Sequence, residues 1–584
     1  MTDEEEEAPE AAAAAAPPPP TWPERVLRWL SRRPAATLGL FFLLLWTPGL
    51  LSLPPLDRDE SRFAQSSRQM LESGNFVDIR FGHVPRYKKP VGIYWLQAAT
   101  TEVAGLGDSS HIWTYRLPSL LGGLLAVLLT FWCARAFASA EEAWIGAALL
   151  GSTLLASAEA SIATTDSVQL ACALGAMGVL LRVYLAGRDT KRPPTSNRLI
   201  LLGWGAFAAG ILVKGPVVPA VCIVTVAVLA AWDRDWVWLK ALKPLWGVAL
   251  TAAIVAPWAV AIWLASHGQF YQQSLGNDFA AKLAGGQETH GAWPGYYLAL
   301  ATISFWPAVL FLAPGIAGAV ERFRDPATRF LLIWAGACWA MFEVVPTKLP
   351  HYVLPVYPAL AILAGTWVLA PREGNASRWQ AGLRYLALGQ YGLALIAISI
   401  APVLLLRQYG SGSSWWIIAA AAVGALVGIG ALIAQLFRSQ VVATGLTLLA
   451  VLVLYPTLAA GAGPRLSNLW VSPRAAVLVA KDSRPGDPPP ALAGYTEPSL
   501  VFLLGKDTRL TNGPGAAEAG AGQGGLALVE DREQSSFLAH LAELEADATK
   551  VDELSGYNYS RGRSVHITIY RVTATHDITE PPAE

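Results

Sequence analysis

The sequence predicts a polytopic α-helical membrane protein of about 13 transmembrane helices. Interfacial helices in the first outward loop and a small C-terminal α/β domain complete the expected fold. Three observations predict it. Apolar residues make up 53% of the 584 and charged residues only 15%, where a soluble protein carries about 25%. Mean hydropathy is +0.39, more apolar surface than one globule can hide. Apolar runs of about 20 residues recur until the composition changes near residue 466. Lys+Arg and Asp+Glu balance at 43 each, which argues against nucleic acid as the main partner. Cys133, Cys172, Cys222 and Cys338 lie in apolar runs without metal or disulfide spacing. The 23 Trp suit interface anchoring and sugar stacking.

In chain order, residues 1–22 are acidic, then Ala-rich, then Pro-rich, and read as a disordered tail without signal-peptide character. Residues 1–34 as a whole form this tail plus a basic segment with Arg25, Arg28, Arg32 and Arg33. The membrane domain is expected over 35–465. Its apolar runs lie near 35–53, 116–134, 143–160, 167–186, 199–213, 216–232, 246–265, 296–318, 329–345, 351–369, 384–405, 415–436 and 441–463. Residues 90–105 read as an interfacial helix. Basic links at 188–198, 234–243, 322–329 and 372–384 alternate with the runs so that the N-terminus is cytoplasmic. Loops 54–115, 160–166 and 266–295, two tight turns near Lys214 and Lys348, and the soluble domain 466–584 then face outward. Within that domain a Pro-rich linker at 485–490 precedes strands that alternate with helices. Gly513–Gly525 reads as a flexible loop, since its GAGQGG lacks the spacing of a dinucleotide fingerprint.

The outward face carries the candidate chemistry. The first loop opens DRDESRFAQSSRQMLESG, placing Asp59, Glu60 and Arg62 directly after the first span. Such charges are paired or functional, or they belong to an amphipathic helix facing water. Further on, PRYKKPVGIYWLQ sets Lys88 and Lys89 before Tyr94 and Trp95, an arrangement suited to a lipid phosphate or to membrane anchoring. Asp166 stands at the mouth of a long apolar run, as a site acid or a helix N-cap. Lys214 in VKGP, Lys348, His351 and Tyr352 in PTKLPHY, and His290 and Tyr297 in ETHGAWPGYY complete the set. Acids, cations and aromatics on one face suit sugar transfer from a lipid phosphate. Aromatics stack sugars, cations stabilise a leaving phosphate, and a carboxylate serves as base or charge stabiliser.

At these residues the chain resembles the GT-C fold glycosyltransferases of the protein-mannosyltransferase superfamily, and among them the ArnT type, the lipid A aminoarabinose transferases. The likeness lies in DRDESRFAQSSRQMLESGNF, YKKPVGIYW, RLPSLLGGL, the TTD at 164–166, VKGP, HGAWPGYY and KLPHYVLPVYPAL, in order over roughly 35–370. The resemblance implies sugar transfer from a polyprenyl phosphate donor at the periplasmic side of the inner membrane. Asp59 matches the family's first-loop acid, with Glu60 its neighbour and Asp166 the second loop's acid. Lys89 matches the lysine of the KP motif that holds the donor phosphate; Arg62, Lys214 and Lys348 join it as candidate phosphate ligands. Tyr94, Trp95, His290, Tyr297, His351 and Tyr352 are candidate sugar or acceptor contacts. Lys88 stands where relatives carry Glu, which speaks against a divalent metal held at that position and points to a sugar other than aminoarabinose. The expected partners are an undecaprenyl-phosphate-sugar donor, a lipid A or other glycolipid acceptor and membrane lipids. A protein acceptor is the alternative within the class. A lipid-linked sugar flippase is the rival outside it, but its repeated halves and midplane charges are not evident.

Overall fold

The computed structural model describes residues 20–107, 110–274, 276, 292–370, 377–412 and 414–574. The expected disordered tail therefore lies outside the described residues up to position 19, as does His290.

Among the described residues, ten helices are long and apolar enough to cross a membrane, or eleven if the bent pair Ala140–Ser152 and Leu154–Ser161 forms one span. The remaining expected runs fall short of that length. One is the 17-residue helix Val217–Asp233. The other is broken into Tyr296–Ser304 and Val309–Glu321. The bend of 64° in the pair follows from local chemistry. Thr153 Oγ1 donates to Leu150 O and accepts from Ala156 N–H, ending one helix and capping the next. The released Leu154 N–H finds Trp306 O at 2.8 Å.

Small residues set how closely the helices approach, because lipid offers no hydrophobic drive for helix–helix contact. A Cβ at Gly365 would lie 2.5 Å from Gly146 N, and one at Gly122 would lie 2.8 Å from Val168 N. These two contacts lock Tyr357–Leu369 against Ala140–Ser152, and Ile112–Ala134 against Asp166–Arg188. The helix start at Asp166 and the loop before it are thereby carried into the protein interior.

The first loop folds into helix Asp59–Ser73, a short antiparallel hairpin of β1 (Arg80–Phe81) and β2 (Val84–Pro85), and helix Gly92–Val103. Helix 59–73 is buried on more than one face, with Phe63 and Met70 in one apolar cluster and Ala64 in another beside Tyr115 and Phe502.

The C-terminal domain carries five further strands, β3 (Ala491–Ala493), β4 (Arg509–Thr511), β5 (Gly525–Glu530), β6 (Ala548–Asn558) and β7 (Arg563–Val572). The sheet order is β4-β3-β5-β7-β6, parallel across β4-β3-β5 and antiparallel beyond. Here one expectation is corrected. Gly513–Gln523 is a helix and not a flexible loop. Asn512 caps it by accepting from Gly515 N–H at 3.0 Å. Its small face is what the sheet requires, since a Cβ at Gly520 would meet Val572 at 2.8 Å. Burial of Ala516, Ala517 and Ala521 outweighs the poor helix propensity of glycine.

Candidate functional site

The first span ends at Ser52, and the chain turns through Leu53–Arg58 into the helix that begins at Asp59. Arg58 adopts φ 67°, ψ −115°, a conformation that L side chains rarely occupy and that costs of order 1–3 kcal/mol. The turn delivers Asp59 beside three cationic side chains. Arg86 Nη2 lies 3.6 Å and Arg62 Nη1 3.7 Å from Asp59 Oδ1, and Lys89 acts on the same carboxylate. Burial pushes the Asp59 carboxyl up, but the charges of Arg86, Arg62, His351 and Lys89 outweigh it and hold it below the usual range. Its side chain is still 61% exposed, so a reactant can reach it.

Arg86 was not singled out from sequence. It is 8% exposed, stacks 4.8 Å over the Phe63 ring and donates to Tyr94 Oη at 2.9 Å. Tyr94 is thus a buried support for Arg86 and not a sugar-facing ring. Trp95 points elsewhere, its indole donating to Phe76 O at 2.8 Å.

Glu60 corrects the expectation of a second catalytic acid. It is 2% exposed and forked by Arg116, with Nε–Oε1 and Nη2–Oε2 both 2.8 Å. Both oxygens also accept backbone N–H groups, from Ala163 at 2.7 Å and Leu56 at 2.8 Å. The remaining Arg116 donors reach Leu50 O, Leu53 O and Pro54 O. Glu60 and Arg116 together therefore fasten the end of the first span to the second and third. With its lone pairs occupied and no route to solvent, Glu60 has a structural role.

Asp166 and Lys214 meet at facing helix ends, with Nζ–Oδ1 at 2.5 Å. Both are buried, and Lys214 Nζ lies 5.6 Å from the centre of the Tyr352 ring. Glu159, a further residue that sequence reading missed, accepts from Thr164 Oγ1 at 2.7 Å and lies 3.8 Å from His351 Nδ1. Ligand atoms of Glu159, Asp166 and His351 fall within 4.8 Å of one another. Lys348 departs from expectation. It is 4% exposed, and its ammonium donates to Glu343 O and Val345 O, both at 2.7 Å, closing the end of helix Pro326–Val344. Tyr297 is buried with its backbone N–H on Glu343.

A cavity of about 480 Å³ opens beside these groups. Its lining includes Lys88, Lys89, Lys214, His351 and Tyr352 together with the apolar Ile211, Leu212, Val255, Trp258 and Phe342. It shares Ile211, Val255 and Ala259 with a second cavity of about 890 Å³, lined largely by apolar side chains of the bundle. The structure thus gathers Asp59, Arg62, Lys89, Asp166, Lys214, His351 and Tyr352. It leaves out Glu60, Lys348 and Trp95, and it brings in Lys88. Arg86, three residues before Lys89, is the cation of this site that the sequence analysis missed.

Residues 88–263 match the family model of dolichyl-phosphate-mannose-protein mannosyltransferases. The crystal structure of ArnT from Cupriavidus metallidurans bound to undecaprenyl phosphate superposes with a TM-score of 0.71 at 20% identity, covering 93% of this chain and 98% of that one. The chain has the ArnT fold. Two similar proteins are named undecaprenyl phosphate-alpha-4-amino-4-deoxy-L-arabinose arabinosyl transferase. That of Shewanella sediminis is 29% identical over 60% of this chain and 62% of its own length. That of Edwardsiella ictaluri is 30% identical over 63% and 65%. The ArnT-like chain thus matches less than two thirds of either relative's length. The Archaeoglobus fulgidus oligosaccharyltransferase shares the fold more distantly, with a TM-score of 0.50 at 13% identity.

Proposed function

We propose that the chain is a glycosyltransferase moving a sugar from an undecaprenyl-phosphate-linked donor to lipid A or a related envelope glycolipid. The observation that carries this reading is a cavity lined by both cations and apolar side chains, beside an exposed Asp59. Lys89, Lys88 and Lys214 suit a phosphate, and the apolar walls and adjoining cavity suit a polyprenyl chain. The names of the similar proteins and the ArnT fold support the same donor class. The alternation of basic links supports a site at the periplasmic face of the inner membrane.

In the reaction the bond between sugar C1 and the phosphate oxygen breaks, and its electron pair leaves with undecaprenyl phosphate. An acceptor oxygen forms the new bond to C1. Cations at the leaving oxygen gain strength as its charge grows, which is where binding energy accelerates transfer. Asp59, held below the ordinary carboxylate range, is a weak base. It therefore orients the acceptor and stabilises positive charge on the sugar, which suffices when the acceptor is an already ionised phosphate. No step is routed through a divalent metal. The acid set at Asp166 fits one poorly, because Lys214 already supplies a cation 2.5 Å from its carboxylate.

The test is chromatography and mass spectrometry of envelope lipids from a deletion strain, paired with turnover of membrane-extracted undecaprenyl-phosphate sugars by the purified protein. Loss of one sugar from lipid A or a related glycolipid, restored by the protein, is expected. Unchanged glycolipids together with a glycan missing from an envelope protein would reassign the acceptor, and the absence of any donor turnover would sink the reading.

A further inference from the structure

We infer that the C-terminal domain is a working part of the active site, with Tyr559 and Ser499 as positioning residues that hold the Asp57–Arg58 turn and so aim Asp59. This rests on the reading of Asp59 given above. The turn is tied locally by Glu60 and Arg116 on its Leu53–Leu56 side, but Asp57 and Arg58 are also gripped from the far end of the chain. The Asp57 N–H donates to Tyr559 Oη at 2.7 Å, a partner 502 residues away. Arg58 Nη2 donates to Ser560 O at 2.7 Å. Ser499 Oγ bonds the Asp57 carboxylate. Behind it, Ser499 Oγ lies 2.6 Å from Ser472 Oγ, and Ser472 Oγ 2.9 Å from Tyr495 Oη. Ser472, Tyr495 and Ser499 are each at most 2% exposed, so this polar chain is built into the domain core.

The clamp falls on the residue of the loop that least tolerates freedom. Arg58 sits at positive φ, and Asp59 is next in sequence. Any relaxation of Arg58 toward common backbone angles would swing the Asp59 carboxylate away from Arg86 and Lys89. The contact also extends along the helix that Asp59 begins. Arg68 Nη1 donates to Phe502 O at 3.0 Å, and Lys506 pairs with Glu72 at 3.3 Å. Phe502 itself is buried edge-on against Tyr115 at 5.5 Å. Two separate parts of the domain, the segment around 498–506 and the β6–β7 turn at 559–560, thus grip the two sides of one catalytic loop. Transfer depends steeply on the placement of such a group.

The experiment uses the full-length protein in nanodiscs. Tyr559→Phe removes the acceptor of the Asp57 N–H and keeps the ring; Ser499→Ala is the second variant, and Lys481→Ala, on the exposed side of the domain, is the control. Tyr559→Phe is expected to lower kcat about tenfold with undecaprenyl phosphate affinity unchanged, because the cation-lined cavity is untouched. Amide exchange over residues 54–62 should rise in the same variant, while exchange over helix 166–188 stays as in wild type. In an Asp59→Asn background the added Tyr559→Phe should cost less than twofold, since there is no carboxylate left to aim. Unchanged kcat and exchange in both variants would overturn the inference, as would an equal fold loss in both backgrounds. Full turnover by Asp59→Asn alone would instead overturn the role given to Asp59, and the exchange readout would still decide whether the clamp holds the turn.

Discussion

Lys214 Nζ and Asp166 Oδ1 stand 2.5 Å apart at facing helix ends, both nearly shut off from solvent. The two form a buried ion pair with Glu159 and His351 close to Asp166, so Lys214 meets the cavity with a carboxylate at its back. Losing one partner of such a pair costs about 3–5 kcal/mol, because the other is left charged and desolvated. Lys214→Met is therefore expected to lower the thermal unfolding midpoint in detergent by several degrees. The double variant Asp166→Asn/Lys214→Met should recover most of that loss while remaining weak in donor binding. A double variant no more stable than the single would show that the pair is not coupled.

Asp59 and Glu60 are neighbours with opposite fates. Asp59→Asn should retain expression and unfolding midpoint while transfer falls by about two orders of magnitude or more. Glu60→Gln should act through folding, since it breaks a buried fork to Arg116, and its loss of yield should match that of Arg116→Met. Fluorescence-detected size exclusion separates the two outcomes. Poor transfer by well-folded Glu60→Gln at full yield would return Glu60 to the site chemistry.

The cavity lysines are expected to share the donor phosphate. Lys89→Ala should both weaken binding of undecaprenyl phosphate and slow the chemical step, since the contact strengthens as the leaving oxygen gains charge. Lys89→Arg should keep part of the activity, as charge survives in a different geometry. Lys88→Ala should weaken donor binding by a smaller factor, and Lys348→Ala should leave binding intact while destabilising the fold. Titration of each purified variant with undecaprenyl phosphate and with donor gives the comparison. Lys89→Ala with unaltered affinity and kcat would reduce these lysines to interfacial anchors.

Asp57 gives the domain joint a pH dependence. Burial pushes its carboxyl up to about 6, the Ser499 hydroxyl opposes this, and Glu497 adds to it. The other ionisable groups facing it are Tyr559 and Tyr495, while Arg58 is turned onto Ser560 O and Arg561 lies 3.6 Å from Glu497. The sign follows from linkage. A carboxyl whose folded pKa lies above its unfolded value disfavours folding once it ionises in the unfolded chain. That penalty is absent below about pH 4, grows as pH rises, and is complete above about pH 6. Docking of the domain on the first loop should therefore tighten as pH falls from 7 to 5. Amide exchange over residues 54–62, corrected for intrinsic rates, should slow over that window in wild type but not in Asp57→Asn.

Much of this protein is legible locally. The apolar runs, the C-terminal α/β composition and the candidacy of Asp59, Lys89 and Asp166 follow from period, length and charge placement along short stretches of chain. Helix 513–523 was missed because glycine favours loops by propensity, whereas packing against Val572 needs residues without bulk. Partner choice is decided only when distant segments meet. Glu60 is structural because Arg116 arrives from 56 residues away, Lys214 is paired because Asp166 arrives from 48, and Lys348 is turned onto its own helix end. Arg86 and Glu159 become site residues through burial, which no local pattern encodes. The clamp from Tyr559 to Asp57 spans nearly the whole chain. Sequence determines which residues are able to carry charge or bury surface; the tertiary structure decides which charges are locked into buried pairs and which line an accessible cavity.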